Sequence, residues 1–437
     1  MTDRRVVITG VGVVTAGGVG AEAFFAGLLA RSQHVRAIDL FDATTFPCRI
    51  GAQLDDFSAR PYVPRSYRKA VKVMARDIEI AVAAADLAVL DAALVTAGID
   101  DGEPNVDSAR VGCNIGAGLI CPDLDELGAA VNTAVVDGQF DFKMWGREGM
   151  ANLTPLWLLK YLPNMLACHV TIIHQAKGPS NTITCGEVSG HLAVGEASRT
   201  VARGGADLAI AGGAESKLNP MGLLRQGLLG RLTTTGNDAP AGACRPFDAD
   251  HAGTVVGEGG GLLIVEDRDR AVGRGARVYA EVAGFAAACD PDGTDYTRPH
   301  AGGLAPAVAG ALAEAGIAPG EIDLVIPNGT GVPAEDVAEA DALKQALGDR
   351  ADGVPVVPLT GGIGDLFAGA GGAQLAAGAI ALARQTIPPA VNGENPDPAC
   401  GLNLPAAPIE TELRHVLCAA VTPGGQSAAI VLKRHEP

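Results

Sequence analysis

Positive charge is what this sequence has least of: Lys and Arg total 33 against 50 Asp and Glu, a net −17 over 437 residues. Such an acidic chain disfavours nucleic acid as a partner. Long apolar runs are missing too, and none approaches the ~18 residues that a membrane span needs. The opening MTDRRVVITGVGVV enters a strand-like run at once and has no apolar core of a signal peptide, so a cytoplasmic protein is expected. No CxxC pair occurs among the nine cysteines. They read as reduced cytosolic thiols, not as a disulfide frame or a zinc site. The 58 glycines follow no triplet period, which excludes a collagen-like chain. What remains is 48% hydrophobic and 19% charged, the composition of a folded globular protein. The length accommodates two or three average domains, or one large two-part α/β body.

The apolar pattern alternates strands and helices. An apolar run over 5–14 starts the chain. Val71, Met74, Ile78, Val82, Ala85 and Val89 recur three and four apart, which predicts a long helix over about residues 66–94. A strand over 109–118 runs into a glycine turn. The stretch 153–165 predicts an apolar helix, in the core or at an interface; Trp157 and Tyr161, four apart, favour the interface. A strand at 181–184, a tight turn and a helix at 188–203 follow, then strands at 207–212 and 261–266. A second half begins near Arg270, with strands at 278–282, 322–327 and 354–359 and helices at 304–316 and 375–384. Strands at 416–421 and 428–433 close the chain. Strand–NGTG at 322–331 resembles strand–NIGAG at 111–118, which suggests duplication into halves 1–269 and 270–437. No Pro/Gly/Ser linker separates them, so one packed body is expected.

The most informative stretch is NTITCGEVSGHLAVGEA, 181–197. A strand, a tight turn and a helix present a residue to a cleft at a helix N-terminus. There, backbone N–H groups and the helix dipole stabilise an anion. Cys185 is the evident candidate nucleophile of this turn.

RRVVITGVGVV, GPSNTIT, GGAES, RPFDADHAGTVVGEGGGLLIVED, NGTGVPAEDVAEADAL and TPGGQSAAIVL, in that order, resemble the β-ketoacyl synthase family across nearly the whole chain. The resemblance implies a thiolase-like α/β fold: two duplicated βαβαβαββ halves in a layered αβαβα body. It also places the family's chemical positions. Counting from Val194-Gly195-Glu196-Ala197 and from Gly178-Pro179-Ser180 puts the nucleophile position at Glu187, two residues beyond Cys185. The first family histidine falls at Asn328. The second falls at Asp365, with its lysine partner at Thr360. The gatekeeper loop becomes Thr422-Pro423-Gly424-Gly425. None of the eight histidines occupies a motif position; His191, four beyond Glu187, reads as helix packing.

Transacylation needs a thiolate, and condensation needs neutral donors aimed at the developing oxyanion. Glu187 is a poor nucleophile toward thioesters, and an ionised Asp365 would repel an oxyanion. A bland role for Glu187 is a carboxylate at a helix N-terminus, worth ~0.3–1 kcal/mol. The pattern therefore resembles the chain length factors, the ketosynthase β-subunits of type II polyketide synthases. That resemblance implies a silent subunit paired with an active ketosynthase α-subunit, with an acyl carrier protein bearing the chain and neither metal nor organic cofactor. It implies a tunnel at the interface. Tunnel or interface candidates are Leu119, Pro122, Leu124 and Leu127, together with Trp157, Tyr161 and Met165. The net charge disfavours this subunit as the main docking face for an acidic carrier protein. The rivals are an active condensing enzyme or decarboxylase using Cys185 or Glu187, and a homodimeric thiolase-fold binding protein.

Overall fold

The computed structural model describes residues 4–99, 102–293 and 298–436. The main elements of the first half are β1 (Val6–Thr15), α1 (Arg76–Asp91), β2 (Val111–Ala117), α2 (Leu124–Thr133), α3 (Met165–His174), β3 (Ser180–Ile183), α4 (Ser189–Ala202), β4 (Leu208–Ser216), α5 (Pro220–Leu228) and β5 (Glu258–Asp267). The second half follows with β6 (Ala280–Cys289), α6 (Leu304–Ala315), β7 (Leu324–Ile326), α7 (Pro333–Leu347), α8 (Ala370–Arg384), β8 (His415–Val421) and β9 (Gln426–Lys433).

The first-half strands run in the order β1-β5-β4-β2-β3, antiparallel across the first two steps and parallel across the last two. The second half repeats it as β6-β9-β8-β7, with the same alternation. A parallel bridge from Val325 to Val356 supplies the fifth place. A short pairing of Val7 and Ile8 with Glu281 and Ala280 joins the two sheets. Helix α1 covers the first sheet, α6 covers the second, and α4 and α8 lie between them. This is the αβαβα layering that the sequence implied.

The middle layer explains much of the glycine. Every described position from Ala370 to Leu382 is buried, so α8 has no solvent face on which to place a polar stripe. A Cβ on Gly372 would lie 1.9 Å from the Gly261 carbonyl oxygen, and one on Gly195 2.5 Å from the Phe285 ring. Bulkier residues would force sheet and helix apart, so small residues set the layer spacing.

Three expected elements differ. The helix expected over 66–94 starts only at Arg76; residues 60–73 wind through three short 3-10 turns, and Met74 and Ala75 are extended. The extended pair lets Arg76 reach Glu258, which it grips through Nε at 2.9 Å and Nη2 at 2.8 Å. The apolar helix over 153–165 is instead a 3-10 turn, Trp157–Lys160, and a separate helix from Met165. Pro155 and Pro163 interrupt it, because each removes a backbone donor and restricts the residue before it. Residues 354–359 make only single bridges, at Val356 and Pro355, since Pro355 and Pro358 cannot donate to a ladder.

Candidate functional site

At the turn, Gly186 adopts φ +56, a conformation that costs a side-chain-bearing residue roughly 1 kcal/mol or more. A Cβ there would also press within 3.1 Å of Thr422. Ser189 Oγ accepts from the Cys185 N–H at 2.8 Å and donates to the Gly186 carbonyl at 2.6 Å, fixing the turn. The turn directs Glu187 inward, where it is 4% exposed. Cys185 faces Val188, Ala420 and Ala428. Burial, with Cys289 and Glu187 nearby, pushes its thiol above the usual range. It is a neutral thiol, without the electropositive surroundings that a nucleophilic cysteine needs.

Glu187 meets a residue that sequence reasoning missed. Arg231 lies just beyond α5, with its side chain 5% exposed. Its Nη1 donates to Glu187 Oε1 at 2.9 Å and to Gln226 Oε1 at 3.2 Å. Its Nε and Nη2 donate to the two oxygens of Glu335 at 2.8 and 3.0 Å, a bidentate pair. Asp365 Oδ2 stands 3.6 Å from Nη2. One guanidinium thus gathers three carboxylates, and Glu187 and Asp365 reach it from different halves of the chain. Arg231 is buried, yet these carboxylates raise its affinity for its proton above the ordinary value. Burial pushes Asp365 up to about 7, against the downward pull of Arg231. Its Oδ1 accepts from the Phe367 N–H at 2.9 Å, while Oδ2 has no hydrogen bond.

Asn328 and Thr360 are drawn into scaffolding. The Asn328 and Gly329 N–H groups donate to Glu339 Oε1 and Oε2, both at 2.8 Å. Burial raises Glu339 to about 8. The Asn328 side chain makes one long bond, Nδ2 to the Val421 carbonyl at 3.4 Å, and its Oδ1 is unpaired. Thr360 Oγ1 donates to the Gly329 carbonyl, holding the same turn. Pro423 and Thr422 close over Asn328 and Glu339, leaving a cavity of about 20 Å³, room for about one water. His191 is fully buried with neither ring nitrogen bonded, and burial lowers it to about 4. It is a neutral packing residue against Gly371.

The chemistry of the assembled group is limited. Among the described residues it offers no thiolate, its guanidinium is already bound by carboxylates, and the cavity beside Asn328, which His300 also lines, is about 20 Å³, too small for a thioester. Among the described residues no three or more His, Cys, Asp or Glu side chains are placed to hold a metal ion.

The tunnel and interface candidates separate. Pro122, Leu124 and Tyr161 line a surface cleft of about 570 Å³ together with Ile120, Asp77 and Leu218. Leu119 is exposed, and Leu127, Trp157 and Met165 are half-buried outside the cleft lining. Glu335 and Glu339 sit inside the quoted NGTGVPAEDVAEADAL segment, four and eight residues beyond Gly331. Nothing local marks Arg231, which belongs to no motif.

Residues 3–271 match the family model for the β-ketoacyl synthase N-terminal domain, and residues 279–394 the C-terminal one. The chain is 33% identical to 3-oxoacyl-[acyl-carrier-protein] synthase 2 of Synechocystis over 92% of this chain and 91% of that protein. It is 32% identical to the β-ketoacyl synthase 1 assigned to the granaticin polyketide in Streptomyces violaceoruber, over 99% of each. Among solved structures, the ishigamide ketosynthase/chain length factor superposes with a TM-score of 0.84 at 27% identity, over 99% of this chain and 100% of that one. The fold is therefore thiolase-like.

Proposed function

The chain belongs to the β-ketoacyl synthase family, and from that premise we propose that it is a chain length factor. It is a silent subunit that pairs with an active ketosynthase α-subunit and helps set the length of an aromatic or polyene polyketide chain. The observation that carries this reading is the Glu187–Arg231 pair at 2.9 Å. The position where a condensing enzyme needs a free thiolate holds a carboxylate already bound to a buried guanidinium.

The open surface supports a partner. Among the described residues strand β3 pairs only with β2, and no strand lies on its outer edge. An exposed edge strand is a template for pairing with another chain. The surface also carries exposed apolar residues, including Phe142, Leu156 and Leu228, the kind of side chain that a partner covers. Charge is also uneven. Arg60, Arg65, Arg68, Lys69 and Lys72 are all exposed along the 3-10 turns before α1, with no acidic residue between Asp56 and Asp77. That basic ridge suits an acidic carrier protein better than the net charge suggests. No cofactor enters this role, and the cytoplasm is its expected place.

Co-expression with the α-subunit tests the reading. A heterodimer that elongates malonyl-loaded carrier protein, while the chain alone neither condenses nor decarboxylates malonyl thioester, is expected. A stable homodimer in the presence of the α-subunit, or an acyl adduct on Cys185 or Glu187 of the isolated chain, would overturn it.

A further inference from the structure

The role proposed above leaves the Cys185 thiol unused, and the fold brings a second thiol toward it. Strands β8, β9 and β6 lie side by side. Ala420, Ala428 and Ala287 stand opposite one another across them as one row. The next row on that face is Thr422, Gln426 and Cys289. Gln426 is the register partner of Cys289, and its carbonyl accepts from the Thr422 N–H at 2.9 Å. Thr422 Oγ1 also donates to Gln426 Oε1 at 2.5 Å, so these two side chains leave the sheet together. Cys289 leaves it on the same face, because directly opposed residues of an antiparallel pair share a face.

The turn before α4 rests on this face. Cys185 packs against the cluster of Val188, Ala420 and Ala428. A Cβ on the next residue, Gly186, would lie 3.1 Å from the Thr422 methyl. The alanine row carries only methyl groups, which lets the turn sit close to the sheet. Cys185 and Cys289 therefore meet from different halves of the chain, across adjoining rows. Their electrostatics agree: after burial, Cys289 is the neighbour that raises the Cys185 thiol most, ahead of Glu187.

The two thiols differ in access. Cys289 is exposed, and its Sγ–H donates to the Asp290 carbonyl at 3.4 Å. Cys185 is half-buried and holds its proton more tightly than usual. An oxidant attacks the accessible thiol first. Of the other seven cysteines five are buried, and Cys121 and Cys168 are half-buried on other elements.

We propose that Cys185 and Cys289 are a peroxide-responsive pair that closes to a reversible disulfide, with Cys289 attacked and Cys185 resolving. The Cys289 thiolate takes one oxygen of hydrogen peroxide; the O–O bond breaks, hydroxide leaves, and the sulfur is oxidised to a sulfenic acid. Cys185 sulfur then attacks Cys289 sulfur; the S–O bond breaks, and the departing hydroxide takes the Cys185 proton as water. Two thiols and one peroxide give one disulfide and two waters. The bond ties the turn that carries Glu187 to β6. It does not rest on the chain-length reading.

The test treats the reduced full chain with hydrogen peroxide at pH 7 and maps its peptides by mass without reductant. A cross-linked pair containing Cys185 and Cys289, two hydrogens lighter than the reduced peptides and lost on adding dithiothreitol, is expected. In Cys185→Ser, dimedone should capture Cys289 as its sulfenic acid, several-fold more than in the wild type; Cys185→Ala serves if the serine variant misfolds. In Cys289→Ser, a change at an exposed site, Cys185 should stay reduced. The proposal is overturned if Cys289 is over-oxidised or joined to a second copy while Cys185 stays free. Equal dimedone capture with and without Cys185, or a bridge from either residue to a different cysteine, also overturns it.

Discussion

Replacing Arg231 by Met tests the ion cluster most directly, because Met fills similar space and removes only the charge and the donors. Arg231 makes hydrogen bonds of 2.8, 3.0 and 2.9 Å to Glu335 and Glu187 and stands 3.6 Å from Asp365. Without it, carboxylates with side-chain exposures of 5% (Glu187) and 1% (Asp365) are left facing one another. Removing one member of a buried pair costs about 3–5 kcal/mol. Glu335, at 19%, can recover some hydration, which places the expected loss toward the lower figure. That is still roughly a hundredfold in the folding equilibrium. The pH dependence follows from Asp365, whose folded value of about 7 lies above an unfolded value of ~3.9. The folded state therefore holds the extra proton between those values, and the cost of ionising Asp365 in place is complete only above about 7. Loss of Arg231 removes the downward pull on Asp365 and moves that carboxyl further up. The deficit of R231M should accordingly be largest at pH 8 and shrink toward pH 6, and adding Glu187→Gln should recover part of it. Urea unfolding followed by circular dichroism at both pH values measures this. A loss below ~1 kcal/mol at pH 8, the scale of an exposed pair, or an equal loss at both pH values, would refute the cluster as described.

His251 lies 3.1 Å from Asp336 and 3.4 Å from Asp397, and the Asp336 hydrogen bond raises its pKa above the usual 6.5. Its contribution to stability is then complete below its unfolded pKa and lost as pH rises through the higher folded value. His251→Asn should flatten that part of the pH–melting profile, measured as the difference from the wild-type profile so that Asp365 cancels. Cys289 is exposed, whereas Cys185 is half-buried with a raised pKa. Iodoacetamide at pH 7 should therefore alkylate Cys289 well before Cys185, read by peptide mass mapping; preferential labelling of Cys185 would revive it as a nucleophile. Charge reversal at Arg68 and Lys69 should weaken carrier-protein binding several-fold at low salt and little at high salt, because exposed charges are screened beyond about a Debye length. Salt-independent binding in both proteins would move the docking site elsewhere.

The sequence by itself determined the chain's fold class and singled out the four positions that the family resemblance marks. Buried strands such as β2 are apolar apart from single polar residues like Asn114, and the strand–glycine modules recur in order, so both sheets are legible from local pattern. The motif spacing likewise names Glu187, Asn328, Thr360 and Asp365, because distance along the chain within a motif fixes place in the fold. Proline-broken stretches were less legible: apolar content alone predicts a helix over 153–165, while the backbone limits imposed by Pro155 and Pro163 divide it. Helix α7 shows no periodic stripe, since small alanines occupy several of its faces. Only the tertiary structure decided what surrounds Glu187, Asn328, Thr360 and Asp365. Arg231 lies 44 residues from Glu187 and 104 from Glu335 along the chain, in a segment with no motif, and nothing local says which carboxylates it will neutralise. The same holds for Tyr161, whose hydroxyl meets Glu126 35 residues away. Charge compensation in a buried site is settled by which side chains the packed layers bring within ~3 Å, and that distance exists only once both halves have folded around one another.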